Sequence, residues 1–246
     1  MSGPVNLARA AAVDGWLARL GRGLWAPRCL VCGEQAAGRI DLCARCEAAL
    51  PWMPAACLAC AMPLRPPAAG AGRLCSACQR APPPLAETHA AFLYGFPVDR
   101  LLPRLKFHRD LAAGRLLAEA MAVAFAARPR PDALVPVPLH RARLRQRGYN
   151  QALELARPLG RRLGIGVRPE LLRRTRDTDP QSRLDAAARA ANLDEAFEVR
   201  GTGAAPPHVV LVDDVMTTGA TLHAAADALL DAGAWRVDAW VCARAP

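Results

Sequence analysis

Long apolar runs, aromatic residues and lysine are all scarce in this chain, and each scarcity has a consequence. No stretch reaches the roughly 18 uninterrupted apolar residues that a transmembrane helix needs, so we expect no membrane insertion. Aromatic residues make up only 5% of the chain, which leaves few platforms for stacking the bases of a single strand. Lys106 is the only lysine among 32 basic residues. One ammonium kept in an arginine-rich chain indicates a need for a compact point charge.

The phosphate-binding motifs of two common nucleotide-binding folds are also missing. The chain has no Gly-x-x-x-x-Gly-Lys-Ser/Thr sequence, and Gly201-x-Gly203 is followed by Pro206 where a dinucleotide-binding motif has its third glycine. The N-terminal segment has apolar residues at helical intervals, but charged residues interrupt them, so it does not form a signal-peptide core. We therefore expect a cytoplasmic protein.

The 246 residues are 52% apolar and 22% charged, which is enough apolar material for a sizeable core and excludes a mainly disordered chain. The net charge of +10 is unevenly distributed: residues 1–100 carry +4, residues 101–190 carry +11 and residues 191–246 carry −5. A basic zone of this size fits a polyphosphate ligand or nucleic acid. The alternative is arginine scattered over the surface by coding bias.

Eight of the nine cysteines form four Cys-x-x-Cys pairs. Two intervening residues let both thiolates of a tight turn bind one tetrahedral ion, so four pairs predict two closed structural zinc sites. Disulfides are disfavoured in a reducing cytoplasm, and a redox pair would occur once, in a βαβ setting. Sequential and crossed pairing both fit, and we prefer sequential pairing because its loops of 10 and 14 residues are close to zinc-ribbon spacing. The expected ligands are Cys29, Cys32, Cys43, Cys46, Cys57, Cys60, Cys75 and Cys78.

These features predict four regions. Residues 1–28 form a helical extension, residues 29–80 a double zinc-ribbon domain, and residues 81–87, with three consecutive prolines, a stiff linker. Residues 88–246 alternate short apolar runs with amphipathic stretches of helical length, which is typical of a mostly parallel sheet flanked by helices. Strands are expected over 89–96, 133–138, 164–168, 196–199, 209–212 and 237–241.

The most informative motif follows the apolar run of residues 209–212. Asp213 and Asp214 come directly after this expected strand, and small and hydroxyl residues follow over 217–221, where a helix opens. A turn of that composition exposes backbone N–H groups to a phosphate at the positive end of a helix. Carboxylates beside an anion site fit a ligand that carries both a phosphate and vicinal hydroxyls, because the acids accept hydrogen bonds from the hydroxyls.

The run from Asp213 to Thr221 resembles the phosphoribosyl pyrophosphate (PRPP) motif of type I phosphoribosyltransferases. Together with the cysteine pairs and several runs in the middle of the chain, it resembles the ComF family over about residues 28 to 246. These runs are Val135-Pro136-Val137-Pro138-Leu139-His140, Arg141, Arg145, Arg147-Gly148-Tyr149-Asn150-Gln151, Arg173, Arg174, Arg176, Thr178, Gln181, Arg189 and Asn192. Proteins of that family join a double zinc ribbon to a type I phosphoribosyltransferase-like domain. They are linked to competence and DNA uptake, and they are similar to the C-terminal half of amidophosphoribosyltransferases.

The resemblance implies a role for each matching residue. Asp213 and Asp214 correspond to the acids that bind the ribose hydroxyls, and residues 173–183 to a mobile loop that closes over the substrate. Asn150 is also expected to cap the helix that follows it, and Tyr149 could instead be a core residue. The implied PRPP-binding residues are Thr217, Thr218, Gly219, Ala220 and Thr221 for the 5′-phosphate, Val137, Pro138, Leu139, His140 and Arg141 for the pyrophosphate, and also Arg147, Lys106 and Arg176.

Two functions follow as alternatives. The first is transfer of a phosphoribosyl group from PRPP, with Mg²⁺ bound chiefly through ligand oxygens and catalysis by positioning and electrostatics. The second is a non-catalytic nucleic-acid-binding or scaffold protein in which the PRPP pocket is a sensor or a relic. Expected partners are PRPP, single-stranded DNA on the basic surface and a competence protein. The sequence identifies neither an acceptor nor a glutaminase module that would make ammonia.

Overall fold

The structure, a computed structural model, describes residues 28–36, 40–64, 73–176, 196–200 and 205–245. The expected helical extension lies outside these ranges apart from Arg28. No helix within them is long and apolar enough to span a bilayer. The chain forms two compact units, Met1–Ala49 and Leu50–Pro246.

The first unit contains two tight cysteine turns. In the first turn, the N–H of Gly33 donates to the carbonyl of Cys29 at 2.9 Å. Gly33 has a φ of 78°, a left-handed conformation that favours glycine. The second turn leads into helix α1 (Ala44–Ala48), which begins directly after Cys43. The spacing of each cysteine pair therefore produces a compact turn that presents both thiols together.

The second unit is built on a four-stranded parallel sheet, as the alternation of apolar runs predicts. Its elements are, in chain order, β1 (Thr88–Leu93), α3 (Val98–Phe107), α4 (Leu111–Phe125), β2 (Ala133–Pro136), α5 (Arg141–Arg147), α6 (Gln151–Leu163), β5 (His208–Met216), α7 (Ala220–Asp231) and β6 (Arg236–Arg244). The strands lie side by side in the order β1, β6, β5, β2. Helices α3 and α4 connect β1 to β2, α5 and α6 follow β2, and α7 connects β5 to β6.

Both faces of the sheet are covered. Val209 and Leu211 of β5 lie in one apolar cluster with Leu222 and Leu229 of α7. Alternate side chains of a strand point to opposite faces, so the even-numbered residues of β5 and β6 face the other layer. There α4 and α6 pack together, and Phe125 stacks on Trp240 with ring centroids 5.0 Å apart. The central strands are apolar over residues 209–212 and 239–243 because both of their faces are buried there.

The second pair of cysteine turns lies within this compact unit. It includes helix α2 (Ser76–Arg80), and the N–H and hydroxyl of Thr88 donate to the carbonyls of Leu58 and Ala59 at 2.6 and 2.9 Å. The expected linker, residues 81–87, also packs on the sheet: Leu85 is buried, and the N–H of Ala86 donates to the carbonyl of Val237 at 2.9 Å. The segment after the prolines is therefore attached to the second compact unit, which begins at Leu50.

Two local features differ from the sequence expectations. Residues 164–168 make only an isolated bridge, between Val167 and Leu134, instead of a strand. A two-stranded antiparallel sheet, β3 (Leu172–Arg174) with β4 (Phe197–Val199), adds a strand that the sequence analysis placed in a mobile loop. Three-residue strands are too short to show an alternating pattern, which explains why β3 was missed.

Candidate functional site

The eight paired cysteines form two four-thiol clusters. Each cluster has all four sulfur atoms within 4.8 Å of one another, and the two sets are Cys29, Cys32, Cys43, Cys46 and Cys57, Cys60, Cys75, Cys78. The Cys32 and Cys43 sulfurs are 3.6 Å apart, and those of Cys60 and Cys75 are 3.8 Å apart. A tetrahedral ion with Zn–S bonds of about 2.3 Å requires sulfur–sulfur distances of about 3.8 Å. The geometry fits zinc and confirms sequential pairing.

The electrostatics of the first cluster also favour a bound cation. Burial and the neighbouring thiols raise the pKa of Cys46 to about 12. Four thiolates packed this closely repel one another, so all four deprotonate together only when a dication compensates their charge. The cluster is therefore suited to a structural metal rather than to thiol chemistry.

We predict that freshly purified protein contains two zinc ions per chain. Both clusters offer four sulfur ligands, which is a closed coordination shell without a position for water. Metal analysis by mass spectrometry on protein that has not met a chelator measures the ratio directly. One zinc per chain, or none, would contradict this prediction.

The two acids of the candidate PRPP motif lie inside β5, not beyond its end. Strand β2 ends at Pro136, which pairs with Val212, whereas β6 accompanies β5 as far as Met216. From Asp213 onwards, β5 therefore has no strand neighbour on its β2 side. This overhang opens a crevice at the carboxyl end of the sheet, where ligands of parallel sheets bind.

Each acid has its own electrostatic environment. Asp214 is buried, and one of its carboxylate oxygens lies 3.1 Å from Nζ of Lys106 on α3. Burial, and secondarily the charge of Asp214, raise the pKa of Asp213 to about 7, although Lys106 and Arg174 act in the opposite direction. The single lysine of the chain thus contacts one acid of the pair, which fits the expected need for a compact point charge. The carboxyl group of Asp213 therefore titrates near neutral pH.

We predict that Asp213→Asn makes the protein more stable at pH 8 than the unchanged chain. The pKa of Asp213 rises from 3.8 to about 7 on folding, so between these values the folded state holds a proton that the unfolded state has lost. Stability therefore falls as the pH rises through this window, and asparagine removes that loss. Thermal unfolding should show a gain of about 2–4 °C at pH 8 and a smaller one at pH 5. A gain in melting temperature that is equal at pH 8 and pH 5 would contradict this prediction.

The turn after β5 has the features expected of a phosphate-binding loop. Thr217 and Thr218 are exposed, and Gly219 has a φ of 85° and caps the N-terminus of α7. A Cβ atom at Gly219 would lie 2.5 Å from the side chain of Met216 and 3.0 Å from Nε2 of His223, so only glycine fits there. The turn brings backbone N–H groups to the positive end of a twelve-residue helix.

The segment expected to bind pyrophosphate follows the neighbouring strand β2. The N–H of Val137 donates to the carbonyl of Val212 at 2.9 Å, which fixes the segment against β5 just before the acids. His140 caps α5, and Arg141 is the first residue of that helix. Asn150 caps α6 and also donates from Nδ2 to the carbonyl of Val137 at 3.0 Å. The expected cap at Asn150 is confirmed, and it also ties the two segments together.

Arg147 and Arg176 are two further residues that the sequence analysis expected to bind PRPP. The guanidinium of Arg147 lies over the ring of Phe107, 5.6 Å from its centroid. Arg176 is exposed, and its carbonyl accepts from Nε of Arg174 at 3.3 Å. Residues 177–183 of the expected closing loop lie outside the described ranges.

Two buried arginines lie near the site, Arg174, which is part of the family resemblance, and Arg244, which the sequence analysis did not name. Arg174 lies against the ring of Phe197, and its charge lowers the pKa of Asp213. Arg244, at the end of β6, donates from Nε to the carbonyl of Cys60 at 2.9 Å and from its terminal nitrogen to the carbonyl of Met216 at 3.2 Å. It therefore joins the second cysteine cluster to the residue that precedes the phosphate-binding loop. No local pattern distinguishes Arg244 from the other basic residues.

Comparison with known proteins agrees with this architecture. Residues 20–79 match the family described as "Double zinc ribbon domain", and residues 150–246 match the "Phosphoribosyl transferase domain". A parallel sheet with an acid pair and a phosphate-type loop at its carboxyl end, combined with two four-cysteine clusters, defines a zinc-ribbon protein with a phosphoribosyltransferase-type domain.

Three curated relatives narrow the class to a family. The chain is 34% identical over 241 residues to the DNA utilization protein YhgH of Salmonella typhi, covering 93% of this chain and 96% of the relative. It is 36% identical over 157 residues to Competence protein F of Haemophilus influenzae, covering 61% and 69%. It is 32% identical over 153 residues to Competence protein ComFC of Bacillus subtilis, covering 61% and 60%. The chain belongs to the ComF family, whose members include DNA utilization and competence proteins.

Proposed function

We propose that the second unit binds PRPP with Mg²⁺ and transfers its phosphoribosyl group, in a protein that serves DNA uptake or processing. The observation that carries this proposal is the junction of Asp213 and Asp214 with a glycine-capped helix N-terminus at the open end of β5. The acids suit the ribose hydroxyls and the loop suits the 5′-phosphate. The names of the curated relatives support the link to DNA.

The chain supplies groups for each part of the ligand. Asp213 and Asp214 accept hydrogen bonds from the ribose hydroxyls, and the N–H groups after Thr217 hold the 5′-phosphate. Lys106 forms an ion pair with Asp214, and Arg141 and Arg147 supply positive charge for the pyrophosphate that leaves C1. Carboxylate and ligand oxygens are the donors that Mg²⁺ prefers, so Asp213 would help to hold the ion, which neutralises the leaving group. Positioning and electrostatic stabilisation then account for catalysis.

Calorimetric titration of the zinc-loaded protein with PRPP tests this proposal. We expect saturable binding when Mg²⁺ is present and much weaker binding when Mg²⁺ is left out of the buffer. No EDTA is added in either titration, because a chelator would also remove the zinc. Ribose 5-phosphate, which keeps the hydroxyls and the phosphate, should bind more weakly than PRPP. Absence of PRPP binding with Mg²⁺ present would overturn the phosphoribosyl proposal.

A second candidate function is non-catalytic binding of nucleic acid, with the PRPP pocket as a sensor or a relic. Helix α5 favours it, because four of its seven residues are arginines and none of its residues is buried. Arg141 and Arg145 are both exposed on this helix. Charges placed in this way can contact phosphates without identifying a sequence.

We predict that any DNA binding by this surface is non-specific and strongly dependent on salt. Each phosphate neutralised releases counterions, so affinity falls steeply with salt concentration. Raising sodium chloride from 50 to 200 mM should weaken binding of a single-stranded oligonucleotide by at least about tenfold. Arg141→Gln combined with Arg145→Gln should reduce that slope. Fluorescence anisotropy measures both, and a flat salt response or a strong sequence preference would contradict the prediction.

The proposal also includes a cellular location and a protein partner. A cytoplasmic location fits clusters of reduced thiols that bind zinc, because oxidising compartments convert such thiols to disulfides. The ComF resemblance also suggests a protein partner from the competence machinery. Co-purification of the full chain with that machinery tests the partner, and fractionation of cells tests the location.

A further inference from the structure

A cavity of about 500 Å³ lies beside the acid pair, on the side of Lys106. Its walls come from the end of α3, the turn after it, and the junction of α5 and α6. It is joined to the acids directly, since Lys106 lines it and also contacts Asp214 at 3.1 Å. The volume is within the range of small-molecule sites. A ligand here would therefore sit next to the ribose of a bound PRPP.

The charge of this cavity is of one sign. Lys106, Arg109, Arg143 and Arg147 line it, and no carboxylate does so among the described residues. Asp110, the acid next to Arg109 in the chain, pairs instead with Arg104 at 2.6 Å and caps α4. Such a lining selects an anionic ligand.

The cavity also contains a surface for a flat ring. The side chain of Phe107 is 68% exposed, which is unusual for a phenylalanine beside a site. The Arg147 guanidinium lies 5.6 Å from its ring centroid, and the phenolic oxygen of Tyr149 is buried. Aromatic and guanidinium planes arranged in this way accept a planar ring by stacking.

The backbone is arranged so that Arg109 reaches the cavity. Arg109 has a φ of 54°, a left-handed conformation that costs a non-glycine residue energy. A Cβ atom at Gly148 would lie 3.1 Å from a terminal nitrogen of Arg109, so glycine leaves room for the guanidinium. The left-handed backbone of Arg109 and the absence of a side chain at Gly148 therefore both contribute to the position of this charge.

We propose that this cavity binds the acceptor of the phosphoribosyl group, and that the acceptor is a small planar ring that carries a carboxylate. The inference rests on the proposed PRPP function. The ring stacks on the exposed side chain of Phe107, and the carboxylate binds Arg109. A lone pair of the ring or of its amino nitrogen forms the bond to C1 of the ribose, and the C1–oxygen bond breaks. Its electron pair leaves with pyrophosphate, and any N–H proton passes to solvent.

The test compares acids with neutral analogues of nearly the same shape. Orotate and uracil, nicotinate and nicotinamide, and anthranilate and aniline are each titrated into the zinc-loaded full chain, with and without PRPP and Mg²⁺. We expect at least one acid to bind about tenfold or more tightly than its neutral analogue, because a charge-assisted hydrogen bond contributes this much. Because the cavity is open in the free protein, binding should be measurable without PRPP.

Variants then locate the binding. Phe107→Ala and Arg109→Gln should each weaken the acid about tenfold and leave PRPP binding unchanged. Phe96→Ala and Arg115→Gln, which alter an exposed phenylalanine and an exposed arginine outside the cavity, should change neither.

Three results would overturn the inference. The first is that none of the acids binds, or that the neutral analogues bind equally well. The second is that pyrophosphate displaces the bound acid, which would make the cavity part of the PRPP site. The third is that only a single-stranded oligonucleotide depends on Phe107 and Arg109. The separate PRPP titration distinguishes these failures from a failure of the proposed function.

Discussion

Asp214→Asn and Asp213→Asn are each expected to weaken PRPP binding by about ten- to a hundredfold without unfolding the protein. The two carboxylates lie on the part of β5 that no longer has β2 beside it, so no neighbouring strand separates them from a ligand on that side. Each loses a charged acceptor when it becomes an amide. The double variant should show no measurable binding by calorimetry.

The stability of these variants separates a binding role from a structural one. A buried acid that stabilised the fold would make its asparagine variant less stable. Here the raised pKa of Asp213 shows that its ionisation opposes folding, so Asp213→Asn should bind poorly and melt no lower than the unchanged protein at neutral pH.

Asp231→Asn is the matched control, because that aspartate is exposed at the far end of α7. It should bind PRPP as the unchanged chain does. If both Asp213→Asn and Asp214→Asn also bind PRPP normally, the phosphoribosyl assignment fails, and the nucleic-acid or scaffold alternative replaces it.

The features that the sequence revealed are those with short-range signals. The two-residue spacing of Cys29 and Cys32, like that of the other pairs, predicts a tight turn. Asp213 and Asp214 directly follow an apolar run that predicts a strand. Helix α6 was found from its periodicity and its cap at Asn150. In each instance the residues that carry the signal are neighbours in the chain.

The features that the sequence did not reveal depend on distant contacts. Arg244 acquires its role from Cys60, 184 positions away, and from Met216, 28 positions away. The attachment of the segment around the three prolines also had no local signal, since it depends on the burial of Leu85 and on the bond from Thr88 to Leu58. Only the folded arrangement brings these groups together.

We expect the position of the proposed phosphate-binding loop to depend on the second cysteine cluster and not on the first. Arg244 is buried and accounts for the difference, because it bonds to the carbonyl of the zinc ligand Cys60 and to the carbonyl of Met216, one residue before the loop. The Cys29 cluster lies in the other compact unit. A structural zinc in a small module contributes apparent binding energies of about 10–16 kcal/mol, so its loss releases the local fold.

Cys57→Ser should therefore reduce the zinc content from two ions to one, lower the melting temperature of the second unit and weaken PRPP binding by at least about tenfold. Cys29→Ser is the matched variant: it should also lose one zinc but keep PRPP binding. Arg244→Gln should retain both zinc ions and still weaken PRPP binding, which identifies the arginine as the link. Metal analysis, thermal unfolding and calorimetry on the same three proteins measure these effects. Equal PRPP affinity in the Cys57 and Cys29 variants, or full affinity in Arg244→Gln, would show that the loop is positioned without the cluster.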